Sequence, residues 1–173
     1  MVFIMEKEEF FIREVNLDDA QNLLNFFKKL DNTSEFMLIE PDERKTDKSE
    51  QQEIIKNFGK DRQMLICLNT NDIVGFTVIS KGIFNRNRHL GSIVLGVKKE
   101  YRNKGIAKKL FNEAEIWSRK NGITRLELTV VVKNTSAIML YLSLGFVITG
   151  HRKASLLIQG EMVDEYYMTK KIS

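Results

Sequence analysis

The chain predicts a mixed α/β sheet in one domain, with hairpins and helices alternating rather than the strict strand–helix repeat of a doubly wound parallel sheet. Three observations carry that expectation. Two apolar runs, QMLICLN and IVGFTVIS, are split only by Thr70, Asn71 and Asp72, the mark of a hairpin. A strand-like run, HLGSIVLGV (89–97), is followed from Gly105 by Ile106, Leu110, Ala114 and Trp117 at helical spacing, and then by RLELTVVV (125–132), rich in β-branched residues. Finally, FVITGHRKASLLI and EYYMTKK read as two closing strands joined by a turn at Gln159-Gly160.

The remaining elements fit between these. FFIREV (10–15) reads as a first strand, and Asn16 or Asp18 can cap a helix that carries Ala20, Leu23, Leu24, Phe27 and Leu30 on one face. The stretch from Asp31 to Asp47 has weak periodicity and holds the one proline, so it reads as a loop; a polar helix over Ser49–Asn57 follows. The helix from Gly105 stops at Asn121-Gly122, where glycine readily takes the left-handed conformation. A short helix over Ser136–Ser143 runs into Gly145. The order is β-α-α-β-β-β-α-β-α-β-β. With no internal repeat, low-complexity tract or composition break, residues 1–173 are expected to form a single domain.

Bulk properties exclude several classes. The 173 residues are 43% hydrophobic and 29% charged, ordinary for a globular chain with a real core. No apolar run approaches the roughly 20 residues of a membrane span. MVFIMEKEEFF carries acids too early for a secretory signal. Cys67, the one cysteine, sits in the apolar run MLICL and reads as a small buried hydrophobe, which leaves a reducing, cytoplasmic setting as the default. Net charge is only +4, yet Lys98 to Lys109 contains a single acid, Glu100. Such a local cluster suits a compact polyanion better than a long duplex. A nucleic-acid surface would also interleave exposed aromatics, and only Tyr101 lies in the cluster. Neither a nucleic acid nor a membrane is expected as partner, and no metal.

Two segments can carry chemistry. A strand ending at Val97 and re-entering as a helix near Gly105 leaves consecutive backbone N–H groups unpaired over Arg102, Asn103, Lys104, Gly105, Ile106 and Ala107. With the helix dipole they can hold a pyrophosphate, and the small Gly105 and Ala107 allow close approach. The other reading is a solvated basic helix start. GxxxxGK[ST] and GxGxxG are both absent, so neither a P-loop nor a dinucleotide fingerprint is present. The second segment is VVVKNTSAIMLYLSLGF (130–146), in which Asn134 reads either as a ligand-binding amide or as a helix cap. Tyr141 reads there as a functional phenol or a half-buried aromatic.

Taken together, Arg102-x-x-Gly105-x-Ala107 and Asn134-x-x-Ala137-Ile138-x-Leu140-Tyr141-x-x-x-Gly145-Phe146 resemble the acyl-CoA loop and the following N-x-x-A-x-x-L-Y-x-x-x-G-F segment of the GCN5-related N-acetyltransferase (GNAT) superfamily. The element order agrees along nearly the whole chain, although the N-terminal third carries no comparable motif. The resemblance implies the acyl-CoA N-acyltransferase fold: a mostly antiparallel central sheet with flanking helices, its strands at 89–97 and 125–132 splayed at the cofactor site. It implies acetyl-CoA as cosubstrate and direct transfer of the acetyl group to a primary amine. Val97 would pair with pantetheine and offer its amide to the oxyanion, the 102–107 loop would cradle the pyrophosphate, and Asn134 and Ala137 would meet the pantetheine arm. Tyr141 would protonate the leaving thiolate as general acid; a phenol with pKa near 10 is protonated at neutral pH, as that role requires.

The base and the acceptor are less legible. Ser92 and Thr129 stand where the resemblance places carboxylates in many relatives, so no direct carboxylate base is seen there; Glu127, two residues from Thr129 and on the same strand face, is a candidate. Glu127 acts directly or through water, or it is simply an exposed strand residue; Ser92, Thr129 and His89 are water-ordering alternatives. The loop SEFMLIEPDER (34–44), with Phe36, Met37, Glu40, Asp42 and Glu43, either receives a cationic amine or is a solvated charge run. The last hairpin resembles that of ribosomal-protein alanine acetylases. The acceptor is a small-molecule or peptide amine, and a homodimer stays open. The competing reading is a catalytically silent acyl-CoA-binding or regulatory domain on the same fold.

Overall fold

The hairpin expected around Thr70 and Asn71 forms the middle of one sheet. Its strands, β2 (Arg62–Asn69) and β3 (Asp72–Lys81), are buried on both faces along most of their length. The structure, a computed structural model, describes residues 9–172; most of the N-terminal stretch read above lies outside that range. The other strands are β1 (Phe10–Glu14), β4 (Leu90–Val97), β5 (Arg125–Val131), β6 (Val147–Ile158) and β7 (Glu161–Lys171). They line up as β1-β2-β3-β4-β5-β7-β6 in a seven-stranded sheet. Every neighbouring pair is antiparallel except β4 and β5, which run parallel.

Four helices flank it: α1 (Ala20–Thr33), α2 (Lys48–Lys56), α3 (Ile106–Lys120) and α4 (Thr135–Ser143). None among the described residues is long and apolar enough to cross a membrane. On one face, α3 and α4 bury Ile106, Leu110, Phe111, Ala114 and Tyr141 against Ile93, Val97, Leu126, Leu128, Val130 and Met168. On the other, α1 and α2 bury Leu23, Phe26, Phe27, Leu30 and Ile55 against Met64, Ile66, Phe76 and Val78 of β2 and β3. Phe26, Phe27 and Phe76 meet edge to face there, with centroids 4.9–5.8 Å apart. Such pairs contribute about 0.5–1.5 kcal/mol each beyond the area they bury. This second core stops at β3, and Ser92, Val94, Thr129 and Tyr167 on the same face of β4, β5 and β7 stay exposed.

Differences from expectation have local causes. Helix α1 continues past Asp31 to Thr33 instead of breaking there. The reason is Arg44, which donates to both oxygens of the buried Asp31 (2.7 and 3.1 Å) while its guanidinium lies 4.5 Å over the Phe27 ring. Asn16 caps a short 3-10 turn at Leu17–Asp19 that leads into α1, and the Asp19 carboxylate closes the capping box. β7 begins at Glu161, so the last hairpin is longer than its apolar run suggests. β6 is irregular between Arg152 and Leu156, where Ala154 adopts φ +48° and its amide donates to Asp164 Oδ1 at 2.8 Å.

Candidate active site

Strand register builds the site. β4 and β5 pair only through Leu90–Ser92 and Arg125–Glu127, and then the ladder ends. On β4, Lys98 N–H donates to Val74 and Gly82 N–H to Leu90, so the even-numbered residues bond to β3. In an antiparallel pair the alternate residues turn their N–H and C=O groups the other way. Ile93, Leu95 and Val97 therefore present their backbone towards β5. On β5, Val132 N–H donates to Asp164 and Ile172 N–H to Thr124, so Thr129 and Val131 present theirs towards β4. Beyond Ser92 and Glu127 these two backbone edges face each other across a V with no ladder between them.

The V opens onto the N-terminus of α3. Asn16, Asp47 and Asn134 each cap a helix or turn start with a side chain; Gly105, at the start of α3, makes no such bond. The first-turn amides of α3 are left without a side-chain acceptor. Gly105 has φ +78°, and a Cβ built there would meet nothing within 4 Å. Its lack of a side chain thus serves the backbone conformation and leaves the space in front of the amides clear. Asn103 also takes a left-handed conformation, at φ +62°. Left-handed residues alternating with others turn successive N–H groups into one concavity, an anion-binding nest.

The basic side chains around this loop divide by role. Lys98 is buried and donates to both oxygens of Asp72 at 2.7 Å, so it belongs to the fold. Arg102 folds back so that its Nε donates to the Val97 carbonyl at 3.3 Å. Lys104 lies 5.1 Å over the Tyr101 ring and Lys109 lies 5.9 Å over Phe10. Arg102, Asn103, Lys104 and Gly105 are exposed, whereas the Ile106 side chain is in the core, so only its amide can face a ligand. Ala107 and Ala137 are half-buried at the edge of the α3–α4 core.

Asn134 resolves towards the cap. Its Oδ1 accepts from the Ala137 amide (3.3 Å) and from Ser136 Oγ (3.2 Å), leaving its Nδ2 as the group available to a ligand. Tyr141 sits in the α3–α4 core with Val97, its ring edge-on to Phe146 at 5.6 Å. Burial pushes its phenol up to about 12. Glu127 projects from the opposite face, level with Ser92 and two residues before Thr129. Its carboxylate makes no hydrogen bond or ion pair among the described residues. Ser92 Oγ leans on the Ser80 carbonyl at 3.4 Å, and the carbonyl of exposed His89 accepts from Thr124 and Arg125, a structural duty. In the 34–44 loop, Glu40, Asp42 and Glu43 are exposed, with Glu43 Oε2 accepting from the Glu40 amide at 3.0 Å; Met37 packs on the α1–α2 core.

Three features escaped the sequence reading: the burial of Lys98, the Arg44–Asp31 anchor, and a group on the last hairpin. There Arg152 Nη1 donates to Glu165 Oε2 at 3.0 Å and the guanidinium lies 5.4 Å from the Tyr167 ring. Nothing in the spacing of Arg152, Glu165 and Tyr167 signals their meeting; only the β6–β7 register does. Two cavities of about 360 and 350 Å³ lie elsewhere, one against Phe10, Ile12 and Lys109, the other against Asp31 and Arg44. The V itself is an open cleft.

A splayed parallel pair with an uncapped, glycine-led helix at its mouth has the shape and the unpaired backbone groups that suit an extended, phosphate-bearing ligand. The family model for the acetyltransferase (GNAT) family matches residues 24–146. The L-amino acid N-acetyltransferase AaaT of Escherichia coli (strain K12) is 34% identical over 113 residues, 63% of this chain and 67% of that protein. A GNAT-family acetyltransferase from Streptococcus pneumoniae superposes with a TM-score of 0.90 at 28% identity, covering 95% of this chain and 100% of that one. The structure of yncA from Salmonella typhimurium with its cofactor acetyl-CoA shares the fold (TM-score 0.84, 16% identity, 95% of each chain). The chain belongs to the GNAT acetyltransferase family. It is an N-acetyltransferase, and acetyl-CoA is its cosubstrate.

Proposed function

We propose that the protein moves an acetyl group from acetyl-CoA to a primary amine laid on the exposed face of β4, β5 and β7. The observation that carries this reading is the ladder break after Ser92 and Glu127. It presents backbone donors and acceptors on both sides of a cleft whose mouth is the uncapped start of α3. The residues present fit the cofactor: the amides of Asn103 to Ala107 for the pyrophosphate, Leu95 and Val97 for the pantetheine arm, and Asn134 Nδ2 as a further donor. Arg102 and Lys104 add positive charge beside the nest.

Bound acetyl-CoA supplies an activated acetyl thioester. The chain's own residues do the rest. Val97 N–H is a fixed dipole aimed into the cleft, ready to stabilise negative charge on a carbonyl oxygen without reorganising. Glu127, on the exposed face, takes a proton from the incoming ammonium, directly or through water held by Ser92 and Thr129. Tyr141, on the α3–α4 face, keeps its proton on Oη and delivers it to the departing sulfur. Base and acid thus reach the gap from opposite faces of the sheet. The name of AaaT, an L-amino acid N-acetyltransferase, favours a small free amine over a protein side chain as acceptor.

The test is a panel of primary amines with acetyl-CoA, followed by release of free thiol. Cys67 is fully buried and its thiol is pushed up to about 11, chiefly by desolvation, so the native protein contributes little background. Thiol release with matching acetylated product supports the reading. Tight acetyl-CoA binding with no amine acetylated would instead identify a silent acyl-CoA-binding domain.

A further inference from the structure

We infer that Arg152 is a specificity residue that binds a carboxylate on the acceptor, so that the substrate is a free α-amino acid rather than a simple amine. The inference rests on the acetyl-transfer reading of the same cleft.

The register places Arg152 on the acceptor face. Val131 pairs with Glu165 and Glu165 with Arg152, while Thr129 pairs with Tyr167 and Tyr167 with Gly150. Arg152, Glu165, Tyr167, Thr129 and Glu127 therefore project to one side of the sheet. Gly150 lets the Tyr167 ring lie close, since a Cβ there would stand 3.3 Å from it. The ring, 45% exposed, forms a platform between β5 and β6, and the Arg152 guanidinium leans over it at 5.4 Å.

The cation is held in place beforehand. Glu165, with an 8% exposed side chain, takes one N–H through Nη1, while the Arg152 side chain is 42% exposed. A guanidinium has five N–H donors in a planar fork, and Nε and Nη2 bond to none of the described residues. Those free donors match a carboxylate. Tyr167 and Thr129 lie on adjacent strands, about 4.8 Å apart. The Arg152 fork over Tyr167 thus lies on the acceptor face beside β5, where it can hold a carboxylate while the ammonium of the same molecule points towards the V and Glu127. Arg125 and Lys171 share this face but pair with each other's positions at the closed end of the V, away from the open backbone edges.

The experiment compares kcat/KM for proteinogenic L-amino acids and for their methyl esters, in the wild type and in Arg152→Lys, Arg152→Gln/Glu165→Gln and Arg125→Gln. The double variant avoids leaving Glu165 buried without its partner. Acetyl-CoA affinity is measured by calorimetry in each. The wild type is expected to prefer the free acids. The double variant is expected to lose about 10- to 100-fold in kcat/KM for acids, mostly through KM, with esters and cofactor affinity unchanged. Arg152→Lys should recover part of the loss, and Arg125→Gln should behave as wild type. An unchanged acid-to-ester ratio in the Arg152 variants, a wild type indifferent to the carboxylate, or a loss confined to Arg125→Gln overturns the assignment. If other amines are acetylated while no amino acid is, the inference fails and the acetyl-transfer reading stands. If nothing is acetylated, both fail.

Discussion

The two sides of the cleft are built from different material. On the side we assign to the cofactor the groups presented are backbone: the open edges of β4 and β5, the amides from Asn103 to Ala107, and a glycine at φ +78°. On the side we assign to the acceptor they are side chains on separate strands: Glu127, Thr129, Tyr167 and Arg152. A backbone site constrains which residues can form it, because only certain residues adopt the required torsions or leave the required space. A side-chain site constrains only what is placed at each position once the register is set. The first leaves a motif in the sequence, and the second leaves almost none.

Tyr141→Phe gives the largest expected change, because it removes the phenolic proton on the α3–α4 face of the cleft while preserving the packing against Phe146. Turnover should fall about 100- to 10,000-fold with acetyl-CoA affinity held within a factor of a few. Wild-type turnover by the variant would remove Tyr141 as the acid. Its raised pKa makes a second expectation with a definite sign. The protonated form is favoured in the fold, so the acid stays loaded below about pH 10 and the rate profile should show no descending limb from Tyr141 there. The same shift contributes stability that is complete below the unfolded value near 10 and is lost as pH rises towards about 12.

Gly105→Asp probes the backbone side. Aspartate tolerates the left-handed conformation better than most residues, so the fold should survive, whereas glutamate would add strain of roughly 1–2 kcal/mol. The carboxylate would stand in the open space before the α3 amides and repel a pyrophosphate. Acetyl-CoA affinity should drop about 100-fold in calorimetry; undiminished affinity would move the phosphates elsewhere. On the side-chain side, Glu127→Gln should lower turnover roughly 10- to 100-fold and remove the rise of rate with pH that a carboxylate base produces. A slower enzyme with an unaltered profile would leave deprotonation to solvent or to the substrate.

The smallest effects separate the two duties of Asn134. Asn134→Asp keeps an oxygen for the Ala137 amide, so the thermal midpoint should hold while acetyl-CoA affinity weakens roughly 5-fold from the lost Nδ2 donor. Asn134→Ala loses the cap as well, at about 1 kcal/mol of stability. Equal melting of the two variants would show that the cap contributes nothing measurable.

Legibility followed the same division. The strands and helices were readable because apolar periodicity and turn residues are local, down to the left-handed Gly122 that stops α3. The glycine-led, uncapped start of α3 was readable through Gly105 and Ala107. Where the reading stopped short, a distant partner decided the outcome. Asp31 continues α1 because Arg44 returns to it, and Lys98 is buried because Asp72 waits on the neighbouring hairpin. That Glu127 shares a face with Thr129 was readable from strand alternation alone, since it needs only its own strand to face that way. Arg152, Glu165 and Tyr167 needed the pairing of β6 with β7 and of β7 with β5, which no single segment records.

The central claim is that acetyl-CoA lies against the open backbone edge of β4 and the start of α3. It is tested most directly by titrating the ¹⁵N-labelled protein with acetyl-CoA and following the amide resonances. The largest shifts are expected at Leu95, Val97 and Asn103 to Ala107, with β1 and the 34–44 loop little changed. Shifts concentrated around Phe10, Ile12 and Lys109, with Val97 and Gly105 unmoved, would contradict it.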